Sequence, residues 1–307
     1  MKKPEWTIND IHDLKGKIMI VTGANVGLGY ESTKIFAQKN ATVIMACRSK
    51  ERADEAKNQI VNEFPSADLI TMTLDLSSLN SVKAFSDSFK KKYNRLDVLL
   101  NNAGIMTVPY GKTEDGFELQ NGVNHLVHFA LTAQLFELIK NTPDSRIVNV
   151  SSIAHKQGKM DFDNYLYENG DYGKMKSYGR SKLSNLLFTY ELDRRIKEKG
   201  YAVKVLAAHP GTSSTELGRY LKSEASSNSF LKFALKFGQP PYMGCLPQVR
   251  ASVDVNAKSG EYYGPNGLFE MKGNPVLVKS NKRSHNLSDA KLLWEKSEQL
   301  TNIKFEI

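Results

Sequence analysis

Short, nearly all-apolar runs alternate with longer amphipathic stretches over the first two-thirds of the chain. The runs Lys17–Thr22, Thr42–Ala46, Leu69–Leu74, Val98–Leu100, Arg146–Val150 and Ala202–Ala207 have the continuous aliphatic character of strands covered on both faces. Between them the spacing of apolar positions predicts helices over Leu28–Gln38, Glu51–Glu63, Ser81–Tyr93, Phe117–Ile139 and Lys182–Lys199. Strand and helix in repeated alternation predict an α/β protein: a doubly wound, mostly parallel sheet with helices on both faces and right-handed crossovers. Beyond Gly211 the pattern loosens. Residues 212–243 mix Ser, Lys and bulky apolar groups, Gly244–Val255 reads as one more helix, and Glu261–Tyr263 as a seventh and last strand. No internal repeat or low-complexity linker divides the chain, so residues 1–307 are expected to form one domain with a small substrate lobe at 212–243.

Composition narrows the class only slightly. With 40% hydrophobic and 24% charged residues, the chain has ordinary globular chemistry and is not of the disordered kind. The net charge of +9 is scattered in short mixed runs such as Lys90-Lys91-Lys92, which suits a solvated surface better than a nucleic-acid interface. A peripheral contact with membrane is the alternative. Cys47 and Cys245 cannot form a disulfide framework and match no zinc spacing, so no metal is expected. No run approaches the roughly 18 apolar residues of a membrane span. Met1 to Leu14 lacks the apolar segment of a signal peptide, so a cytoplasmic location is expected. Monomer and homodimer both remain open.

The first strand runs into Thr22-Gly23-Ala24-Asn25-Val26-Gly27-Leu28-Gly29. Gly23 permits a tight turn, Gly27 lets backbone N–H groups approach a pyrophosphate, and Gly29 allows close helix packing, with Asn25, Val26 and Leu28 completing the loop. At the end of the second strand, Met45-Ala46-Cys47-Arg48-Ser49 holds no carboxylate. A carboxylate there would favour free ribose hydroxyls, whereas the Arg48 guanidinium can pair a 2′-phosphate, so NADP(H) is the expected cofactor. Asp75 and Leu76 follow the third strand; Asp75 can either reach an adenine amino group or cap the next helix. Asn102, Ala103 and Gly104, in the Asn-Asn-Ala-Gly run after the fourth strand, offer small residues where the cofactor passes.

Tyr178 and Lys182 are four residues apart and share a helix face, where an ammonium favours the phenolate and lowers its pKa. Ser152, or its neighbour Ser151, follows the fifth strand and can hydrogen-bond a substrate carbonyl. Asn124 lies within a helical stretch that asparagine suits poorly unless its amide has a task.

These segments, with His209-Pro210-Gly211-Thr212, occur in an order and spacing that resemble the classical branch of the short-chain dehydrogenase/reductase family. Arg48 and the stretch Asn124 to Phe129 are similar to its retinol-dehydrogenase-like subgroup. The resemblance implies a Rossmann-type fold and a catalytic set. Tyr178 would be the general acid/base and also a cofactor contact, Lys182 its electrostatic partner and a ligand of the nicotinamide ribose, Ser152 the carbonyl polariser, and Asn124 the holder of a relay water. Pro210, Gly211, Thr212, Ser213 and Thr215 would close over the cofactor. The implied activity is NADP(H)-dependent interconversion of a ketone or aldehyde and an alcohol on a lipophilic small molecule. Membrane-bound retinol enzymes of the subgroup often carry an N-terminal anchor that this sequence does not show, which weakens retinoid as the expected substrate. Two other readings compete: a sugar-nucleotide epimerase or dehydratase, which the G-x-x-x-G-x-G loop disfavours, and an inactive dinucleotide-sensing regulator, which the retained Tyr178 and Lys182 disfavour.

Overall fold

The computed structural model describes residues 5–213 and 238–307. Strands β1 (Ile18–Thr22), β2 (Thr42–Cys47), β3 (Asp68–Thr73), β4 (Val98–Asn101), β5 (Arg146–Val150), β6 (Lys204–Ala208), β7 (Tyr262–Pro265) and β8 (Pro275–Leu277) form one sheet in the order β3-β2-β1-β4-β5-β6-β7-β8. All neighbours are parallel except β7 and β8. The sheet thus has eight strands where the sequence pattern predicted seven. The extra one is a three-residue edge strand begun by Pro275, which pairs back on Pro265. A proline-started piece this short carries no period-2 signal and is tolerated only at an edge.

Alternation along the strands explains the two layers. Ile20, Ile44, Leu99 and Ile147 point into one core, with Phe129 and Leu131 of α5 (Val127–Lys140) and Leu183 and Leu187 of α6 (Lys174–Glu198). Their neighbours Met19, Val21, Val43, Leu100 and Val148 point into the other. That second core is shared with α1 (Gly27–Gln38), α2 (Lys50–Glu63) and α7 (Pro241–Val253). Helix α3 (Leu79–Lys92) and the C-terminal α8 (Leu287–Thr301) complete the first layer. Ser49 and Ser78 cap α2 and α3.

Two predicted helices are corrected. The stretch expected as one helix over Phe117–Ile139 is a short turn, α4 (Leu119–Asn121), followed by a π-helical turn over Gly122–Leu126 and then α5. A Cβ at Gly122 would crowd Thr113 and Phe117, so the wider turn is built around a glycine that packs closely. The helix expected from Lys182 begins eight residues earlier, at Lys174, and is buried over most of its length. The predicted helix over Gly244–Val255 runs from Pro241 to Val253, with Pro241 in its first turn. Most of the lobe expected at 212–243, Thr215 included, lies outside the described residues.

Candidate active site

The carboxyl ends of β1, β4 and β5 open on a cleft bordered by Gly23–Gly29, Asn102 to Val108, Val150, Tyr178, Lys182 and Pro210. Helix α1 meets it with its N-terminus. No side chain caps that end and no acidic residue stands in its first turn, so its N–H groups are free for an anion. Glycine is required where the loop closes: Gly23 has φ 66°, and a Cβ at Gly29 would collide with the Gly23 carbonyl.

A buried network braces this wall. The Thr22 hydroxyl accepts from the backbone N–H groups of Asn102 (3.0 Å) and Ala103 (2.9 Å) and contacts His128 Nε2 at 3.0 Å. Asn102 Nδ2 donates to the Thr22 carbonyl (2.8 Å), and Gln248 Nε2, from α7, reaches both Asn102 Oδ1 and Ser32 Oγ at 2.9 Å. Burial pulls His128 down to about 4, so it is neutral, and its Nδ1 donates to the Asn124 carbonyl at 3.3 Å. Sequence reasoning missed Thr22, His128 and Gln248 as a unit, because they come from three distant elements.

Arg48 and Asp75 lie beyond the cleft's walls, just past the ends of β2 and β3. Arg48 is exposed and has no ion-pair partner among the described residues. Asp75 Oδ1 accepts from the backbone and hydroxyl of Ser77, both at 2.8 Å, while Ser78 caps α3. Leu76 is buried. At the other end Gly211, with φ 66°, lies so close to the Met271 carbonyl that no side chain fits. Thr212 donates to Met271 O (2.7 Å), and Gln239 pins the base of this loop through Pro210 O (2.8 Å), Thr212 O (2.8 Å) and Ser213. An uncapped helix end, a cradle that a Cβ would fill and an unpaired guanidinium beyond it fit a dinucleotide laid across the sheet from Pro210 to Arg48.

Tyr178 and Lys182 project from the second turn of α6 onward, and close approach brings the rest to them. Gly158 and Gly179 are in contact, so the turn after β5 packs against α6 and sets the Ser152 hydroxyl close enough to the Tyr178 phenol to act on its pKa. Ser151 instead donates to the Lys182 carbonyl (2.8 Å). Burial pushes Tyr178 up to about 12, and the Ser152 hydroxyl offsets this only in part. The lowering by Lys182 expected from the sequence is not found: burial sets the direction. Lys182 Nζ lies 5.8 Å from the Tyr178 ring centre, donates to Val150 O (3.0 Å), and is itself drawn down to about 8 by burial. The Asn124 amide holds Ile105 from both sides, accepting its N–H (2.8 Å) and donating to its carbonyl (3.0 Å) and to Ser181 Oγ (2.9 Å). Asn124 Oδ1 and Lys182 Nζ lie 3.0 and 3.4 Å from the point where a Cβ on Gly104 would sit.

Two residues beneath the site were also missed. His155 Nδ1 donates to the Ser152 carbonyl (2.6 Å) while Asn281 N donates to its Nε2 (3.2 Å). Arg180 is 1% exposed and donates to the carbonyls of Lys159, Asn164 and Tyr165, which ties the segment 156–176 to the catalytic helix. Its position inside Tyr-x-x-x-Lys was the available signal.

A Rossmann-type sheet with a glycine loop and this Tyr, Lys, Ser and Asn grouping defines a dinucleotide-dependent oxidoreductase site. The chain belongs to the short-chain dehydrogenase family, whose sequence profile matches residues 17–226. Within it the chain is retinol-dehydrogenase-like: it is 40% identical to retinol dehydrogenase 14 of Mus musculus, over 94% of this chain and 87% of that protein. It is 36% identical to retinol dehydrogenase 13 of Homo sapiens, over 95% and 86%. Among solved structures, an uncharacterised protein from Mycobacterium paratuberculosis superposes with a TM-score of 0.82 at 34% identity, covering 99% of this chain and 100% of that one. The RhlG/NADP active-site complex of Pseudomonas aeruginosa, at 19% identity, shares the fold with a TM-score of 0.64, covering 81% and 94%. The family uses a nicotinamide dinucleotide. No described helix is long and apolar enough to cross a membrane.

Proposed function

We propose that the protein is an NADP(H)-dependent reductase of lipophilic aldehydes or ketones, acting equally as an alcohol dehydrogenase in reverse. The observation that carries this is the buried Tyr178 phenol, beside Ser152 and one helical turn from Lys182, at the mouth of the glycine cleft. A bound NADPH supplies the hydride that adds to the carbonyl carbon. Ser152 donates to the carbonyl oxygen and orients it. Tyr178, kept protonated by burial, passes its proton to that oxygen as it becomes an alkoxide. Lys182 stabilises the resulting phenolate, and Asn124 with Lys182 frames the point beside Gly104 from which a water returns the proton. The protein's share is position and electrostatics. Pairing of a 2′-phosphate with the free Arg48 guanidinium supports NADP(H) over NAD(H). Ile105, Met106 and Val108 give the substrate side of the cleft an apolar wall, which supports a lipophilic substrate.

The test is a panel of straight-chain aldehydes and ketones with NADPH and NADH, followed by loss of reduced-cofactor absorbance. We expect NADPH to be preferred and kcat/KM to rise with chain length by up to ~0.8 kcal/mol, roughly fourfold, per buried methylene. Equal use of the two cofactors, or a best substrate that is small and anionic, would reject the corresponding part.

A further inference from the structure

Where the strands begin, at the opposite edge of the sheet from the active site, there is a second cavity of about 270 Å³. Lys17 precedes β1, and Arg146 and Lys204 open β5 and β6. The register sets Met19 beside Val98, Val98 beside Arg146 and Arg146 beside Lys204. Partners in a parallel ladder share a face, so the two cations sit side by side on the α7 face, with Lys17 two residues before Met19 on the same side.

Arg146 is 7% exposed. Its Nη1 donates to the Ala251 carbonyl in the last turn of α7 (3.0 Å), while Nε and Nη2 have no hydrogen-bond partner among the described residues, and the side chain lines the cavity. That free edge is the one Arg95 uses on Asp97, with Nε to Oδ2 at 2.9 Å and Nη2 to Oδ1 at 2.6 Å. No described carboxylate is placed to take it. Asp97 is committed to Lys17 (3.0 Å) and Arg95, and Asp254 to Arg250 (2.9 Å) and Asn256 N (2.9 Å). Asp144 stands exposed at the cavity mouth, outside ion-pair distance. Lys204 is half-buried and also has no acidic partner among the described residues. Adjacent like charges destabilise a sheet, and a guanidinium so largely buried without a carboxylate partner is costly. An anion in the cavity removes both penalties.

We propose that this cavity is a second binding site, for a small oxyanion of the phosphate or carboxylate class, held bidentately by Arg146 and neutralised by Lys204. The planar fork of Nε and Nη2 matches two oxygens of either group. A purely structural Arg146 would serve only as a cap on the C-terminus of α7, and would make stability depend on Arg146 but not on any anion.

The test is calorimetric titration of the protein, saturated with its nicotinamide cofactor so that the dinucleotide's own phosphate positions are filled, with inorganic phosphate and separately with acetate. Saturable binding of at least one anion is expected, weakened about tenfold or more by Arg146→Gln and by Lys204→Gln, the scale of a lost charge-assisted hydrogen bond. Arg48→Ala should leave it unchanged. Binding of phosphate alone or of acetate alone assigns the ligand's chemistry. Should Arg146→Gln fail to fold, the Lys204→Gln protein decides. Affinity unchanged in Lys204→Gln, or no saturable binding of either anion, would overturn the proposal.

Discussion

Along the cofactor wall, polar side chains are answered from within: Thr22 by Asn102, Ala103 and His128, and Asn102 by Thr22 and Gln248. On the proposed substrate side, segments 156–176 and 266–274 are anchored by long side chains and ion pairs. Arg180 grips three carbonyls of the first segment, and Glu270 of the second lies 3.2 Å from His209 and 3.3 Å from Lys156. His209 is fully buried and neutral, since burial lowers its pKa and Gly211 N donates to its Nδ1. Tyr167, Asp171, Phe269 and Glu270 all adopt left-handed backbone conformations although none is glycine, each at a cost of about 1–3 kcal/mol. Leu268 and Phe269 stand 77% and 76% exposed. One side is fixed by internal hydrogen bonds; the other carries left-handed backbone and exposed apolar surface.

Lys182→Met should give the largest break, because the proposed mechanism asks that ammonium to serve both Tyr178 and the cofactor. Turnover is expected to fall by at least ~10²-fold, and cofactor affinity to fall with it. The same variant separates function from stability. Lys182 titrates at about 8 when folded, against about 10.4 in an unfolded chain. Between these values the unfolded chain holds more protons, so the folded state gains stability as pH rises from about 8 to about 10 and bears the full cost of the buried charge below 8. Lys182→Met should abolish that slope and raise the melting temperature at pH 7. An unaltered slope would show that the buried charge is not the cause.

Arg48→Ala confines the damage to the far end of the cofactor wall. NADPH affinity should fall by roughly 1.5–3 kcal/mol, about ten- to a hundredfold, with NADH affinity little changed. Equal losses for both cofactors would mean that Arg48 does not read the 2′-phosphate. Arg180→Met addresses the proposed substrate side. With its three carbonyls released, KM for the carbonyl substrate should rise several-fold while the cofactor dissociation constant stays put. A change in cofactor binding of similar size would erase the distinction between the two sides.

The same asymmetry governs what could be read from the sequence. Gly23, Gly27, Gly29, Tyr178 and Lys182 sit in compact motifs whose spacing is set by one turn or one helical repeat, so pattern alone places them. Six of the eight strands were legible as short aliphatic runs, five of them buried on both faces and β3, at the sheet edge, only partly; β7 was marked only by Glu261–Tyr263, and β8 was too short to leave a pattern. The π turn at Asn124 was not legible, since its cause is contact of Gly122 with Thr113 and Phe117 rather than any local propensity. Nor were Gln248 and His155, whose partners Ser32 and Asn281 lie 216 and 126 residues away in the chain. Ser152 could be chosen over Ser151 by resemblance, but only the structure turns the Ser151 hydroxyl toward the Lys182 carbonyl.

In the proposed mechanism the Tyr178 hydroxyl delivers the proton, and NADPH affinity does not depend on that hydroxyl. Single-turnover oxidation of prebound NADPH by a medium-chain aldehyde, compared between wild type and Tyr178→Phe, tests it most directly. The account predicts equal NADPH affinity by fluorescence titration and a rate of cofactor oxidation lower by ~10²–10⁴-fold in the variant. A variant that oxidises bound NADPH at the wild-type rate would contradict it.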